Sequence, residues 1–134
     1  MTRARFPQIL RSALTPIILI LQNERLYADY LEQMFVELGF TVGGAFCTAG
    51  DAKRWLVDHQ PDVAVIDAEV QDGDCIELAR RLNARRVPFV VYSTVTPLGK
   101  PAHPLLTAGA FLKKPANQGA LLDSVKDALH ASQA

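Results

Sequence analysis

Apolar positions fall into two kinds of stretch along this chain: short unbroken runs, and longer segments with apolar residues three or four apart. Pro16-Ile17-Ile18-Leu19-Ile20-Leu21 is the first unbroken run, and its lack of alternation predicts a strand covered on both faces. Tyr27, Tyr30, Leu31, Met34, Phe35 and Leu38 then make a helical stripe, stopped by Gly39. Phe40 to Phe46 predicts a second strand, weakened by Gly43-Gly44 and therefore placed at an edge. Thr48, with Asp51 three residues on, is expected to cap a second helix. Its inner face would be Ala52, Trp55, Leu56 and His59, and Pro61 would end it. Asp62-Val63-Ala64-Val65-Ile66-Asp67 is a buried strand with a carboxylate at its end.

A third helix opens at Asp74 and Glu77 in capping-box spacing, with Ile76, Leu78, Ala79 and Leu82 facing inward. Pro88-Phe89-Val90-Val91-Tyr92 is a fourth strand and Ala110-Phe111-Leu112-Lys113 a short fifth one. A last helix is expected from Asn117 to Leu129, with Leu121, Leu122, Val125 and Leu129 as its stripe. Such alternation of strand and helix implies a parallel sheet with helices on both faces, and right-handed crossovers close it as a three-layer α/β sandwich. One unit is damaged. Pro97, Pro101 and Pro104 crowd the place of a fourth helix, where an interior proline costs about 3 kcal/mol, so only a short turn is expected near Pro104–Ala108.

Length changes the picture little: 134 residues suffice for one domain with its own core. Residues 1–15, which contain Arg3, Arg5 and Arg11, read as a loose arm, and 16–134 as the folded domain. Fourteen basic and fourteen acidic side chains cancel, so no global field draws the protein to DNA or to an anionic membrane. No apolar run reaches the roughly 18 residues of a membrane span, and a cytoplasmic address is expected. Cys47 and Cys75 make no metal motif and are expected to be reduced and inert, although a helix N-terminus beside Cys75 would lower its pKa. His59 and His103 are isolated and suggest no metal. Arg80, Arg81, Arg85 and Arg86 read as complements to a helix dipole rather than as a nucleic-acid patch. The turn Gln22 to Arg25 lacks the Gly or Ser/Thr cluster that would cradle a flavin phosphate, so no organic cofactor is expected.

The chemistry gathers at strand ends, where open α/β sheets place it. These are Gln22-Asn23-Glu24, Asp67, Ser93-Thr94 and Lys113-Lys114-Pro115. An acid, a hydroxyl and a lysine before a proline in this order resemble the receiver domain of two-component response regulators, over residues 16–130. The loop Asp67-Ala68-Glu69-Val70-Gln71-Asp72-Gly73-Asp74-Cys75 is similar to that family's D-x-x-L-x-D-G-x-G, with Cys75 at the final glycine. Ala79 to Val91 is similar to single-domain receivers common in alphaproteobacteria. Their Phe-Ala-Thr-Gly-Tyr is here Val91-Tyr92-Ser93-Thr94-Val95, a departure at nearly every position.

The resemblance implies a flavodoxin-like sheet order 2-1-3-4-5. It implies that Asp67 accepts a phosphoryl group from a sensor histidine kinase or phosphotransfer protein, with Ser93 and Lys114 holding the phosphoryl oxygens. It puts Phe111 at the Tyr/Phe switch position, although a phenylalanine in an apolar strand reads more readily as core. It also implies a Mg²⁺ site using Asp67 and the backbone carbonyl of Glu69, and a target surface on the last helix and strand five.

The largest departure lies at strand one, where the family's acidic pair is Gln22-Asn23. Magnesium prefers charged oxygen ligands in strict octahedral geometry, so Mg²⁺ is expected to bind weakly or not at all, with Asn23 or Glu24 as the remaining candidates. On the residues alone, Gln22 is a solvated turn residue and Asn23 an N-cap. Two readings follow: a phosphoacceptor, or a pseudo-receiver acting as a constitutive adaptor, which the lost acids favour. Output would pass through protein–protein contact, since the chain stops soon after the last helix and no effector domain is expected. Activity would be limited to self-catalysed phosphoryl transfer to, and hydrolysis at, Asp67. The alternative is a small phosphoryl-handling enzyme with Asp67 as nucleophile, which requires a pocket over the strand ends.

Overall fold

The computed structural model describes residues 15–94 and 109–133. The strands are β1 (Ile17–Leu21), β2 (Thr41–Phe46), β3 (Val63–Ile66), β4 (Glu69–Val70), β5 (Gly73–Asp74), β6 (Phe89–Ser93) and β7 (Ala110–Lys113). The helices are α1 (Arg25–Glu37), α2 (Ala49–Leu56), α3 (Ile76–Ala84) and α4 (Gln118–Gln133). Five strands form one parallel sheet in the order β2-β1-β3-β6-β7, and β4 pairs with β5 in a separate antiparallel hairpin. Leaving the hairpin aside, this is the doubly wound order expected, with β2 at an edge. The hairpin was not expected. The N-terminal arm and the short turn near Pro104–Ala108 lie outside the described residues.

Two apolar layers sandwich the sheet. Leu19 and Leu21 of β1, Ala64 and Ile66 of β3, and Phe89 and Val91 of β6 face Ala52 and Leu56 of α2 and Leu78, Ala79 and Leu82 of α3. The alternate residues Ile18, Ile20, Val63, Val65, Val90 and Tyr92 face Leu31, Met34 and Phe35 of α1 and Leu121 and Val125 of α4. Every residue of β1 and β3 is buried, which explains why those strands read as unbroken apolar runs. Burying one such aliphatic side chain is worth roughly 1.5–3 kcal/mol.

Several local expectations are corrected. Tyr30 and Leu38 are exposed rather than inward, and Tyr30 accepts a hydrogen bond from Gln118 Nε2 at 2.9 Å. His59 lies beyond α2 and is exposed, its ring stacked on Trp55 with centroids 4.6 Å apart. Thr48 Oγ1 does accept from the Asp51 N–H, at 3.1 Å. The same end of α2 has a second acceptor that sequence spacing cannot show. Asp72 Oδ1 and Oδ2 accept from the N–H groups of Ala49 and Gly50 at 2.7 and 3.0 Å. These two bonds, Gly50 first, hold the Asp72 carboxyl below its ordinary range. Asp72 therefore pins the β4–β5 hairpin against α2, at the rim where β3 ends. Gly73, with φ of 134°, supplies the left-handed turn within that hairpin.

Candidate functional site

Asp67 follows β3 directly, and its N–H donates to Leu21 O at 2.8 Å, so sheet hydrogen bonding runs one residue past the strand. Lys114 follows β7 in the same way, its N–H donating to Ser93 O at 2.9 Å. Backbone pairing at adjacent strand ends thus brings three residues distant in sequence to one rim. Ser93 Oγ donates to Asp67 Oδ1 at 2.5 Å, and Lys114 Nζ donates to Asp67 Oδ2 at 3.1 Å. The acid, alcohol and amine foreseen from sequence converge as expected.

Their setting is closed. Asp67 is 6% exposed and Ser93 fully buried. Both carboxylate oxygens are already engaged. Burying a lone carboxylate would cost several kcal/mol, whereas the pair with Lys114 leaves the pocket neutral. The lysine is held on further sides. Its ammonium lies 4.6 Å from the centre of the Tyr27 ring and 5.3 Å from that of Tyr92, where ring quadrupoles attract a cation.

The two phenols meet at 2.8 Å, and Tyr92 Oη lies 3.4 Å from both the N–H and the carbonyl oxygen of Ala116, at the entry to α4. Burial, reinforced by the Tyr92 hydroxyl, holds the Tyr27 phenol well above its ordinary pKa, so it stays neutral. The sequence reading placed Tyr27 in a helical stripe and Tyr92 in the fourth strand, and missed their role here. The available signal was a tyrosine in an apolar strand, since a buried phenol must find a polar partner.

The β1 end corrects two expectations. Gln22 is not a solvated turn residue but fully buried, and neither Nε2 nor Oε1 has a hydrogen-bond partner among the described residues. Its backbone N–H donates to Phe46 O at 3.0 Å, which holds the residue in the sheet. Asn23 does not cap α1. The cap position is Glu24, whose side chain makes no capping bond, and both residues are exposed. Asn23 instead offers its carbonyl oxygen to Gln71 Nε2 at 3.0 Å, tying the β1 turn to the hairpin.

The donor set does not fit Mg²⁺. Among the described residues no three His, Cys, Asp or Glu side chains stand close enough to share an ion. An octahedral cation that retains waters needs room and charged oxygens. Here one carboxylate has both oxygens occupied and its β1 neighbour is a sealed amide.

The remaining candidates separate clearly. Phe111, in the β7 edge strand, is 36% exposed and so is not a core residue. Cys47 and Cys75 are buried free thiols. Burial, with the Asp74 carboxylate second, pushes the Cys75 thiol up to about 12, opposite to the helix-end effect. Arg80 and Arg81 pair with Glu77 at 3.1 and 3.8 Å, and Arg85 donates to the His59 carbonyl at 3.1 Å, as solvated helix-end residues do. A groove of about 540 Å³ runs between Phe89, Ala110, Arg86 and Asp127. It lies at the amino ends of β6 and β7, across the sheet from Asp67.

Comparison with known proteins matches this arrangement. The family model for the response regulator receiver domain matches residues 18–126. A CheY-like receiver from Methanospirillum hungatei JF-1 superposes with a TM-score of 0.78 at 22% identity, covering 89% of this chain and 97% of its own. A response regulator receiver protein from Sinorhizobium medicae WSM419 gives 0.77 at 24% identity, covering 90% and 99%. The signal receiver domain of a modulated diguanylate cyclase from Desulfovibrio desulfuricans G20 gives 0.74 at 26% identity, covering 89% and 97%. No curated protein matches the chain.

Proposed function

The chain belongs to the response regulator receiver domain family, and from that premise we propose that it is a phosphorylation-impaired receiver that signals by binding partner proteins. The observation that carries this reading is the state of Asp67. A phosphoryl acceptor needs a carboxylate oxygen open to in-line attack and a cation to offset charge on the equatorial oxygens. Asp67 Oδ1 is bonded to Ser93, Oδ2 to Lys114, and the carboxylate is nearly sealed from solvent.

Contact with a sensor histidine kinase or phosphotransfer protein follows from family membership. Target binding is assigned to the face formed by α4 and β7, where Phe111 stands exposed. A cytoplasmic protein with no membrane partner fits the neutral charge balance and the absence, among the described residues, of any helix long and apolar enough to cross a membrane.

The convergence of Ser93 and Lys114 on Asp67 favours a competing reading, in which Asp67 is a working phosphoacceptor whose two partners move onto the phosphoryl oxygens. Acetyl phosphate with Mg²⁺, followed by intact-mass measurement, separates the two. The expected result is no adduct. A gain of about 80 Da, the mass of one phosphoryl group, that disappears in Asp67→Asn establishes the phosphoacceptor instead. An enzyme acting on a small phosphorylated substrate is disfavoured, because the groove beside Phe89 and Asp127 stands at the other end of the sheet from Asp67.

A further inference from the structure

We propose that the chain's three tyrosines clasp the junction between β7 and α4, so that the charge on Asp67 sets how firmly α4 is seated against α1. This goes beyond the proposed function, because such a clasp acts on α4 whether or not Asp67 takes phosphate.

Tyr27, Tyr30 and Tyr92 are all the tyrosines in the sequence, and each is linked to the next. The rings of Tyr92 in β6 and Tyr27 in α1 have centroids 6.1 Å apart, and their hydroxyls meet at 2.8 Å. The Tyr30 ring lies 5.7 Å from that of Tyr27. The row therefore starts with Tyr92, which is buried, and ends with Tyr30, which is 47% exposed. Alternate residues of the β7–α4 junction meet it. The Lys114 ammonium lies over Tyr27 and Tyr92, Ala116 offers its N–H and its carbonyl oxygen to Tyr92 Oη, and Gln118 Nε2 donates to Tyr30 Oη. α4 has its own cap, since Asn117 Oδ1 accepts from the Ala120 N–H at 2.7 Å. What the tyrosines hold is thus the placement of the helix and not its formation.

Asp67 Oδ2 holds the ammonium at 3.1 Å, and ring faces attract a cation only within about 6 Å of their centroids. With a neutral group at position 67 the ammonium loses its counter-charge, and a part-buried cation without one moves toward water. Both rings then lose the cation they share. Tyr27 passes this on, because it touches the lysine, the Tyr92 hydroxyl and the Tyr30 ring. The bond between Tyr30 and Gln118 loosens in turn, and with it the first turn of α4. Phe111 carries no hydroxyl and can make none of these bonds, so the route runs through α1 and β6. Coupling of this kind is reciprocal: a change at Gln118 reaches Tyr27 and Tyr92 as well.

Selective ¹³C labelling of the tyrosine rings in the full chain gives one NMR signal set for each of the three residues, and hydrogen exchange reads the amides of α4. Asp67→Asn should shift the Tyr30 signals as well as those of the two nearer rings. It should also speed amide exchange in the first turns of α4 by about fivefold or more, the lower end of coupling between sites, while the amides of α3 keep their rates. Tyr27→Leu removes both ring and hydroxyl, so in that background Asp67→Asn should no longer move Tyr30. Tyr30 signals and α4 amides that ignore Asp67→Asn overturn the proposal, and equal acceleration in α3 does so too, since it would mean global loosening. A response that survives Tyr27→Leu but is lost in Phe111→Ala would place the route in β7 and is equally fatal. Should Tyr27→Leu not fold, by circular dichroism, Gln118→Ala decides: it should shift the Tyr27 and Tyr92 signals, and unmoved signals sink the idea. A phosphoryl adduct on Asp67 would end the proposed function and leave the clasp standing, whereas silent tyrosines in a chain that takes no phosphate would do the reverse.

Discussion

The carboxyl rim of the sheet has two halves, built from neighbouring strands by the same hydrogen bonding, that treat buried polar groups in opposite ways. At the ends of β3, β6 and β7 the two charges that face one another are both engaged: Asp67 meets Ser93 and Lys114, and Lys114 meets two aromatic rings. At the end of β1 a fully buried glutamine has both amide atoms unpartnered among the described residues, and the residues after it face solvent. The contrast teaches that the pocket is electrically complete without β1. In a neutral pocket an amide beside Asp67 costs only its lost hydrogen bonds, roughly 1–3 kcal/mol, while a second carboxylate would cost more.

Removing the lysine attacks the complete half and should have the largest effect. Lys114→Met leaves Asp67 buried without its cation and is expected to lower stability by about 3 kcal/mol, read from urea unfolding. Adding Asp67→Asn to that variant should restore most of the loss, and a double-mutant cycle showing no coupling would mean the two charges do not depend on one another.

The opposite sign is expected at β1. Gln22→Met fills similar space without orphaned polar atoms and should raise stability by about 1 kcal/mol. A loss of that size would show that the amide has a partner in solution.

Tyr92→Phe breaks the phenol pair between the halves and should cost about 1 kcal/mol. It should also bring the Tyr27 phenol down toward its ordinary pKa, seen by ultraviolet titration, since the Tyr92 hydroxyl is one cause of its elevation.

The smallest effect lies outside both halves. Asp72→Ala should lower Tm modestly at neutral pH, because two N–H groups of α2 lose their acceptor. The folded pKa of Asp72 is depressed, so its contribution is complete above the unfolded value of 3.8 and fades as pH falls through the lower folded value. Melting curves of the two proteins should therefore converge in acid. A difference that persists there would assign the effect to packing.

Much of this was legible in one dimension. Unbroken apolar runs such as Ile17 to Leu21 and Val63 to Ile66 identify doubly covered strands, because only a layer on each face removes the need for alternation. The Thr48 cap and the apolar face of α3 follow from spacings within one helix turn. Asp67, Ser93 and Lys114 could be named together because each follows a strand that sequence pattern alone locates. The errors were of another kind. Tyr30, Leu38 and His59 fit helical stripes yet lie exposed, since a stripe says which residues share a face and not how far the covering layer extends. Gln22 looked solvated because a polar residue at a strand end usually is.

What the chain's sequence determined by itself was the parallel order of its layers and the identity of the three groups at the rim, because local periodicity and strand-end position are properties of neighbours along the chain. What tertiary structure alone decided was the electrical state of those groups. The pairing of Lys114 with Asp67, the two tyrosine faces around its ammonium and the sealing of Gln22 involve residues from four strands and a helix. Distances across a sheet, and the loss of water between its layers, have no counterpart in the linear order of residues.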